Sequence, residues 1–113
     1  RVAHAAGIEL DLQRAAEAGR RCATEARRAR CEPGAVHALD LRAPEARALI
    51  MKANKIYAFL SPEGMALLAG LGAGRPGARL VSCEFALPEG THGWCLVEER
   101  RALDLRLILY AKD

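Results

Sequence analysis

Short apolar runs alternate along the chain with longer stretches whose small and apolar residues recur at three- and four-residue steps. The short runs predict strands and the longer stretches predict helices. The four predicted strands that alternate with helices cover residues 7–10, 36–39, 55–60 and 78–85. Two further strands, 91–97 and 103–110, follow with no helix between them, so they should pair antiparallel. This order predicts an α/β fold: a doubly wound, mostly parallel sheet with an antiparallel C-terminal strand pair.

The first predicted helix begins near Leu12 and carries a stripe of small residues, which lets a helix lie close to a sheet. Residues 31–34 contain a proline and a glycine, which should end this helix. Pro44 opens a second helix that reaches about residue 53. Ser61 is a predicted N-cap with Pro62 at the first helical position, and this third helix should stop within residues 70–77.

Two predicted parallel strands end in a carboxylate. The run Gly7-Ile8-Glu9-Leu10-Asp11 joins the first strand to its helix, and Asp40 follows the second strand. In nucleotide-binding α/β folds, an acidic residue at such a strand end binds the ribose hydroxyls. The alternative for Glu9 and Asp11 is a carboxylate stabilised by the helix dipole, and Asp40 could simply cap a loop.

The composition suits a single domain that spans residues 1–113. The chain has 113 residues and is 51% hydrophobic, which is enough for a core, but only 4% aromatic, so small aliphatic residues must fill that core. Trp94 and Tyr57 are interpreted as core or interface anchors. No apolar run approaches the ~20 residues that a transmembrane helix needs, so we expect no membrane span.

The cysteines and histidines do not predict a metal site. The four cysteines include no C-x-x-C pair, and His4, His37 and His92 are scattered without ligand spacing. Cys83 lies within an apolar strand and is predicted to be a core thiol, which favours a reducing compartment over two disulfides.

The positive charge is concentrated in the first helix. Residues 14–30 hold six arginines but only two acids, Glu17 and Glu25. Such a patch could bind RNA, anionic lipid or an acidic partner, and the alternative is the solvated face of an amphipathic helix.

The motifs at the strand ends resemble those of class I S-adenosylmethionine-dependent methyltransferases. Residues 7–11 (GIELD) resemble the second-strand motif of that family, and residues 38–41 (ALDL) resemble its third-strand motif. Residues 76–88 (PGARLVSCEFALP) are similar to the fifth strand of the small mitochondrial protein-lysine methyltransferases that modify the adenine nucleotide translocase and the ATP synthase c subunit. Residues 56–62 and 107–110 resemble the fourth and last strands of those enzymes.

The resemblance implies a Rossmann-like methyltransferase fold with S-adenosylmethionine as cofactor and lysine as methyl acceptor. It implies that Glu9 binds the ribose hydroxyls, and that Asp40 and Leu41 contact the adenine. Ser61, Pro62 and Glu63 would stand where the substrate lysine enters, although helix capping also explains Ser61 and Pro62. Methyl transfer to a neutral amine needs positioning and desolvation, so no dedicated acid or base is expected. The location implied is mitochondrial, and otherwise cytoplasmic.

Residues 1–6 are too few to hold the first strand of the family and its glycine-rich loop. They resemble the start of the helix that follows that loop. We therefore expect a domain truncated at its N-terminus that is inactive alone and binds the cofactor weakly or not at all. Either strand 7–10 pairs directly with strand 55–60, or a protein partner or complementary chain fills the gap.

Two alternatives to a methyltransferase remain open. One is a methyltransferase-like subunit that has lost catalysis and has a structural role in a larger assembly. The other is an RNA- or lipid-contacting module that uses the arginine-rich helix.

Overall fold

A computed structural model describes residues 5–30, 35–72 and 74–113. The elements follow one another as β1 (Ala6–Glu9), α1 (Leu12–Ala29), β2 (Ala35–Ala38), α2 (Pro44–Lys52), β3 (Lys55–Ala58), α3 (Pro62–Gly70), β4 (Arg79–Cys83), β5 (Trp94–Ala102) and β6 (Leu105–Lys112). The chain divides into two compact units, which we call unit 1 (Arg1–Ala46) and unit 2 (Arg47–Asp113).

The helices begin where the sequence predicts. The side chain of Asp11 caps α1 by accepting a hydrogen bond from the backbone N–H of Arg14 at 3.0 Å. α1 ends at Arg30, whose left-handed backbone (φ 55°) donates to the carbonyls of the last turn. α2 and α3 both open on a proline, as expected. The predicted helix break at residues 31–34 lies outside the described residues, as do residues 1–4, including His4.

Unit 1 holds a two-stranded parallel sheet with α1 packed against it. β1 and β2 pair in the register Gly7↔Val36 and Glu9↔Ala38. The buried side chains of α1 are Ala15 and Ala26, so the small-residue stripe does face the sheet. Because these side chains are short, α1 can pack closely on β1 and β2.

Unit 2 is built on a four-stranded sheet with the order β3-β4-β6-β5. β3 and β4 are parallel, β6 runs antiparallel to β4, and β5 runs antiparallel to β6. The predicted antiparallel C-terminal pair is confirmed. The last strand of the chain lies between β4 and β5, an order that the sequence pattern did not give.

The prediction that strands 7–10, 36–39, 55–60 and 78–85 are parallel members of one sheet is wrong. Within the described residues, β1 and β2 form one sheet while β3 and β4 belong to another, so β1 does not pair directly with β3.

The strand boundaries also differ from prediction. β3 and β4 end at Ala58 and Cys83, because residues 59–60 lead into the α3 cap and Glu84 takes a left-handed backbone (φ 72°). β5 runs to Ala102, well beyond the predicted residue 97, because its exposed polar second half pairs with β6. Leu103 and Asp104 both have positive φ and form the tight turn of this hairpin.

The core of unit 2 is formed by side chains of α3, β4 and β6. The most deeply buried side chains are Met65, Leu68, Leu80, Ser82, Cys83 and Ile108. Cys83 is therefore the core thiol that was predicted, and Trp94 is buried. Tyr57 is 67% exposed, so the core interpretation of this residue is wrong: it lies on the opposite face of β3.

Each cysteine in the described residues, Cys22, Cys83 and Cys95, is a free thiol. Among the helices that the structure describes, none combines the length and the apolar character required to cross a membrane.

Candidate functional site

The predicted cofactor-binding residues meet at one end of the unit 1 sheet. Glu9 is the last residue of β1, and Asp40 follows the end of β2 by two residues. Because β1 and β2 are parallel, their carboxyl ends lie side by side, and the N–H of Leu39 donates to the carbonyl of Glu9 at 3.1 Å. This is the edge at which ligands bind in open α/β sheets.

Glu9 is half-buried and keeps most of its hydrogen-bonding capacity. Its Oε1 accepts a hydrogen bond from the N–H of Asp11 at 3.3 Å, and within the described residues its Oε2 has no partner. Asp11 is the N-cap of α1, and Glu9 lies two residues before it, outside the helix. The carboxylate of Glu9 is therefore available to a pair of hydroxyl donors.

Asp40 is engaged within its own loop. Its Oδ1 accepts from the backbone N–H and the Nε of Arg42, at 2.8 and 3.0 Å, and its Oδ2 accepts from Nη2 at 2.7 Å. These hydrogen bonds, with the charge of Arg42, lower the pKa of Asp40 to about 2. The carbonyl of Asp40 also accepts from Ala43, so the loop-cap reading of Asp40 has direct support.

Leu41 lies between Asp40 and Arg42 and is half-buried. It adds apolar surface next to Asp40, of the kind that an adenine ring requires. Glu9, Asp40 and Leu41 therefore lie at the same end of the unit 1 sheet, and we call these three residues the unit 1 cluster.

The predicted substrate-entry residues lie in unit 2, where they begin α3. The Oγ of Ser61 accepts from the N–H of Gly64 at 3.2 Å, Pro62 occupies the first helical position, and Glu63 lies in the first turn, where the helix dipole favours an acid. All three are exposed. Helix capping accounts for these residue types without any further role.

Sequence reasoning missed two exposed aromatic side chains near these residues. Phe59 follows the end of β3 and is 65% exposed, and Phe85 follows the end of β4 and is 41% exposed. Because Ala58 pairs with Ser82 in a parallel ladder, both phenylalanines lie at the carboxyl end of the unit 2 sheet. The sequence pattern placed both rings inside predicted strands, 55–60 and 78–85, whereas the strands end before them at Ala58 and Cys83.

The loop that carries Phe85 is fixed by buried polar groups. The hydroxyl of Ser82 donates to the carbonyl of Phe85, and it also lies 3.5 Å from the sulfur of Met65. The hydroxyl of Tyr110 accepts from the N–H of Leu87 at 3.0 Å. The sequence pattern did not predict these roles of Ser82 and Tyr110, because both residues lie within apolar strands.

A second contact network fixes the end of β4. The N–H of Arg106 donates to Oε1 of Glu84 at 2.9 Å, and the N–H of Glu84 donates to the carbonyl of Arg106 at 2.8 Å. The guanidinium of Arg106 binds Glu99 at 2.7 Å and lowers its pKa. These bonds offset the left-handed backbone of Glu84, which is unfavourable for a residue with a side chain.

In the part of the chain that the structure describes, no group of three His, Cys, Asp or Glu side chains is placed to hold a metal ion. A nucleoside, in contrast, fits the chemistry of the unit 1 cluster. Glu9 offers carboxylate oxygens to two hydroxyls, and Leu41 offers an apolar surface.

Comparisons with solved structures identify the same fold in candidate methyltransferases. A candidate methyltransferase from Escherichia coli (YhhF) superposes with a TM-score of 0.64 at 18% identity, over 99% of this chain and 64% of that one. A candidate methylase from Haemophilus influenzae has a TM-score of 0.60 at 14% identity, over 96% and 72% of the two chains. A conserved hypothetical protein from Streptococcus pyogenes gives 0.67 at 12% identity, over 97% and 72%.

No protein-family model matches the sequence, and no curated protein matches it. The chain spans slightly less than two thirds of the length of the Escherichia coli neighbour. It therefore has the α/β fold of methyltransferase-like proteins, as the sequence predicted, and the likeness extends over both units.

Proposed function

We propose that residues 1–113 form one methyltransferase-like domain, of the type that uses S-adenosylmethionine and acts on protein lysine, and that this chain is not active alone. The observation that supports this most strongly is the cluster of Glu9, Asp40 and Leu41 at the carboxyl end of the parallel β1–β2 pair. The resemblance to protein-lysine methyltransferases in residues 76–88 adds the methyl acceptor.

Glu9 has the central role in cofactor binding. Its carboxylate oxygens accept hydrogen bonds from the two ribose hydroxyls, each a charge-assisted bond of about 1.5–3 kcal/mol. Two such bonds give about 3–6 kcal/mol, which corresponds to a Kd between about 6 mM and about 0.04 mM. Binding at this cluster alone is therefore weak, in keeping with the expectation from the sequence.

The adenine would lie against Leu41 beside Asp40. Because Arg42 occupies both oxygens of Asp40, this carboxylate positions the loop and contributes less to the ligand than Glu9 does. Removal of Glu9 should therefore affect binding more than removal of Asp40.

S-adenosylmethionine supplies an electrophilic methyl group on a sulfonium. The acceptor amine must be neutral and positioned in line, which requires it to be desolvated. The exposed rings of Phe59 and Phe85, at the carboxyl end of the unit 2 sheet, suit the aliphatic stem of a lysine. Ser61, Pro62 and Glu63 would form the entry beside Phe59.

The test is a calorimetric titration of the whole chain with S-adenosylmethionine. We expect weak binding, near millimolar, which Glu9→Gln weakens about tenfold, the loss of about 1.4 kcal/mol. The control is Glu25→Gln, which removes an exposed carboxylate of α1 in the same unit. Micromolar binding that Glu9→Gln leaves unchanged would place the cofactor elsewhere, and no binding at several times the expected Kd would refute the cofactor role.

A second candidate function is a structural subunit that has lost catalysis. The engagement of both oxygens of Asp40 by Arg42 favours it, because that carboxylate is satisfied without a ligand. In this case S-adenosylmethionine binding is absent, while a partner chain is required. The resemblance of residues 76–88 to mitochondrial protein-lysine methyltransferases leads us to propose a mitochondrial location, with the cytoplasm as the alternative.

The partner proposal follows from the strand edges. Within the described residues, β1 pairs only with β2 and β3 only with β4, so each leaves one edge of backbone groups without a strand. An unpaired buried backbone group costs about 1–3 kcal/mol. If the chain is such a structural subunit, it should aggregate or give poorly dispersed amide signals when it is alone, and a monodisperse monomer that melts cooperatively would contradict this second candidate.

A further inference from the structure

The face of α1 that points away from its sheet carries a concentrated positive charge. All of its arginines are exposed, whereas Ala15 and Ala26 are buried. At 3.6 residues per turn the arginines fall within an arc of about 140°, centred opposite the two buried alanines. This surface, which we call the arginine face, consists of Arg14, Arg20, Arg21, Arg27 and Arg28.

The arginine face accounts for the net charge of the whole chain. α1 has five arginines and two glutamates, which gives +3, and the chain has 17 basic and 14 acidic residues, which also gives +3. The remainder of the sequence therefore has equal numbers of both signs. A charge gathered on one helix face indicates an interaction with a polyanion better than evenly distributed charge does.

Only part of this charge is compensated within the helix. Arg21 pairs with Glu17 at 2.8 Å, and Arg28 pairs with Glu25 at 3.3 Å. Both pairs are strongly exposed, so each contributes little and can exchange for another anion. Within the described residues, Arg14, Arg20 and Arg27 form no ion pair.

The chemistry of the arginine face distinguishes among polyanions. Every basic residue of α1 is arginine, whose planar guanidinium binds phosphate oxygens in a bidentate manner. α1 contains no aromatic residue to stack on unpaired bases, and its only large aliphatic residue, Leu12, lies outside the arc and could not anchor the face in a bilayer. The phosphate backbone of a duplex needs neither feature.

The spacing of the arginines also suits a duplex. Arg14, Arg21 and Arg28 are seven residues apart, or about 10.5 Å along the helix, and Arg20 and Arg27 form a parallel row. One strand of a B-form duplex advances about 3.4 Å per phosphate, so a step of seven residues spans about three phosphates.

We propose that the arginine face binds the phosphate backbone of duplex nucleic acid without sequence preference. The neutral remainder of the chain makes α1 the main electrostatic contact. This binding needs no cofactor and is independent of the proposed methyltransferase activity.

The experiment is a fluorescence anisotropy titration of the whole chain, without cofactor, against labelled duplexes of about 20 base pairs, one of RNA and one of DNA. Three to five phosphate contacts predict a slope of log K against log salt of about −3 to −4.5. Arg20→Gln with Arg27→Gln should weaken binding and make the slope shallower by about 2. Glutamine keeps the helix propensity of arginine, so α1 should stay folded, which circular dichroism verifies.

The matched control is Arg75→Gln with Arg79→Gln, which removes the same charge from exposed positions of unit 2. The proposal requires that this control keep the wild-type slope. Equal weakening by both double variants would reduce the effect to net charge and overturn the proposal. Binding to vesicles of phosphatidylcholine and phosphatidylserine, with none to either duplex, would also overturn it, whereas a difference between the two duplexes would show which helical form fits.

Discussion

The two units differ in what holds them together. In unit 1 the buried side chains of the described residues are Ala15, Ala26 and Ala46. In unit 2 they include Met65, Leu80, Ile108 and other large side chains beneath a four-stranded sheet. Because stabilisation by burial scales with apolar area, unit 2 has the larger source of stability, and a two-stranded sheet such as that of unit 1 is marginal.

The groups proposed to bind the cofactor and phosphate show the opposite distribution. Glu9, Asp40 and the arginine face all belong to unit 1. Ligand-binding segments are commonly drawn from the less stable part of a protein, since they must adapt to a ligand. Substitutions in unit 2 should therefore change global stability, and substitutions in unit 1 should change local order and binding.

The largest effect is expected in the core of unit 2. Leu80 is completely buried, so Leu80→Ala should lower the free energy of unfolding by about 2–5 kcal/mol through lost burial and a cavity. Urea unfolding followed by the fluorescence of Trp94, the single tryptophan, measures this in unit 2 itself. Leu96→Ala, at a side chain that is 64% exposed, should stay within about 0.5 kcal/mol, and an equal loss in both variants would contradict the assigned core.

A smaller effect is expected where buried polar groups fix the loop that carries Phe85. Tyr110→Phe removes the acceptor of the Leu87 N–H and leaves a buried donor unsatisfied, at a cost of about 1–3 kcal/mol. Hydrogen exchange should show a selective loss of protection at the amide of Leu87. Tyr57→Phe is the control, because that ring lies exposed on the other face, and it should leave this amide protected.

The helix caps allow the same change to be made in both units. Asp11→Ala removes the cap of α1 and Ser61→Ala removes that of α3, each at a cost of about 1 kcal/mol. In unit 1 the loss should appear as faster hydrogen exchange in the first turn of α1, and in unit 2 as a lower unfolding midpoint. Asp11→Asn and Ser61→Thr retain a capping oxygen and should restore both values. A lower unfolding midpoint for Asp11→Ala, with only a local change in hydrogen exchange for Ser61→Ala, would mean that unit 1 is the more stable.

The smallest effect is the pH dependence of the loop at Asp40. The pKa of this carboxyl is lowered to about 2 in the folded chain, from about 3.9 for an unperturbed Asp. The Asp40–Arg42 interaction therefore stabilises the loop above about pH 4 and is lost as the pH falls through about 2. Arg42→Gln should raise the pKa of Asp40 towards its usual value in a carbon-13 NMR titration. Arg47→Gln is the control, and a low pKa that survives Arg42→Gln would exclude the proposed cause.

The features of the fold that depend on short-range interactions could be predicted from the sequence, and those that depend on long-range pairing could not. The starts of α1, α2 and α3 could be predicted because Asp11, Pro44 and Ser61 act on residues within one turn. The position of β6 between β4 and β5 could not, since it depends on partners distant in sequence. The length of β5 was missed for the same reason, because pairing with β6 overrides its polar composition.

The candidate site was predictable in part. A carboxylate at the end of a strand can be recognised locally, and parallel pairing brings Glu9 and Asp40 to one edge. The engagement of Asp40 by Arg42 depends on loop geometry, which the sequence does not encode in a recognisable motif. The exposure of Phe59 and Phe85 depends on where β3 and β4 end, and strand ends are fixed by backbone conformations such as that of Glu84.

The most direct test of the central claim is chemical-shift mapping of the whole chain, labelled with nitrogen-15, during a titration with S-adenosylmethionine. The account predicts shifts at the amides of Glu9 to Asp11 and of Asp40 to Arg42, where the carboxyl ends of β1 and β2 meet, and their loss in Glu9→Gln. Shifts confined to other residues, or shifts that Glu9→Gln leaves unchanged, would contradict the assignment of a nucleoside-binding site to unit 1.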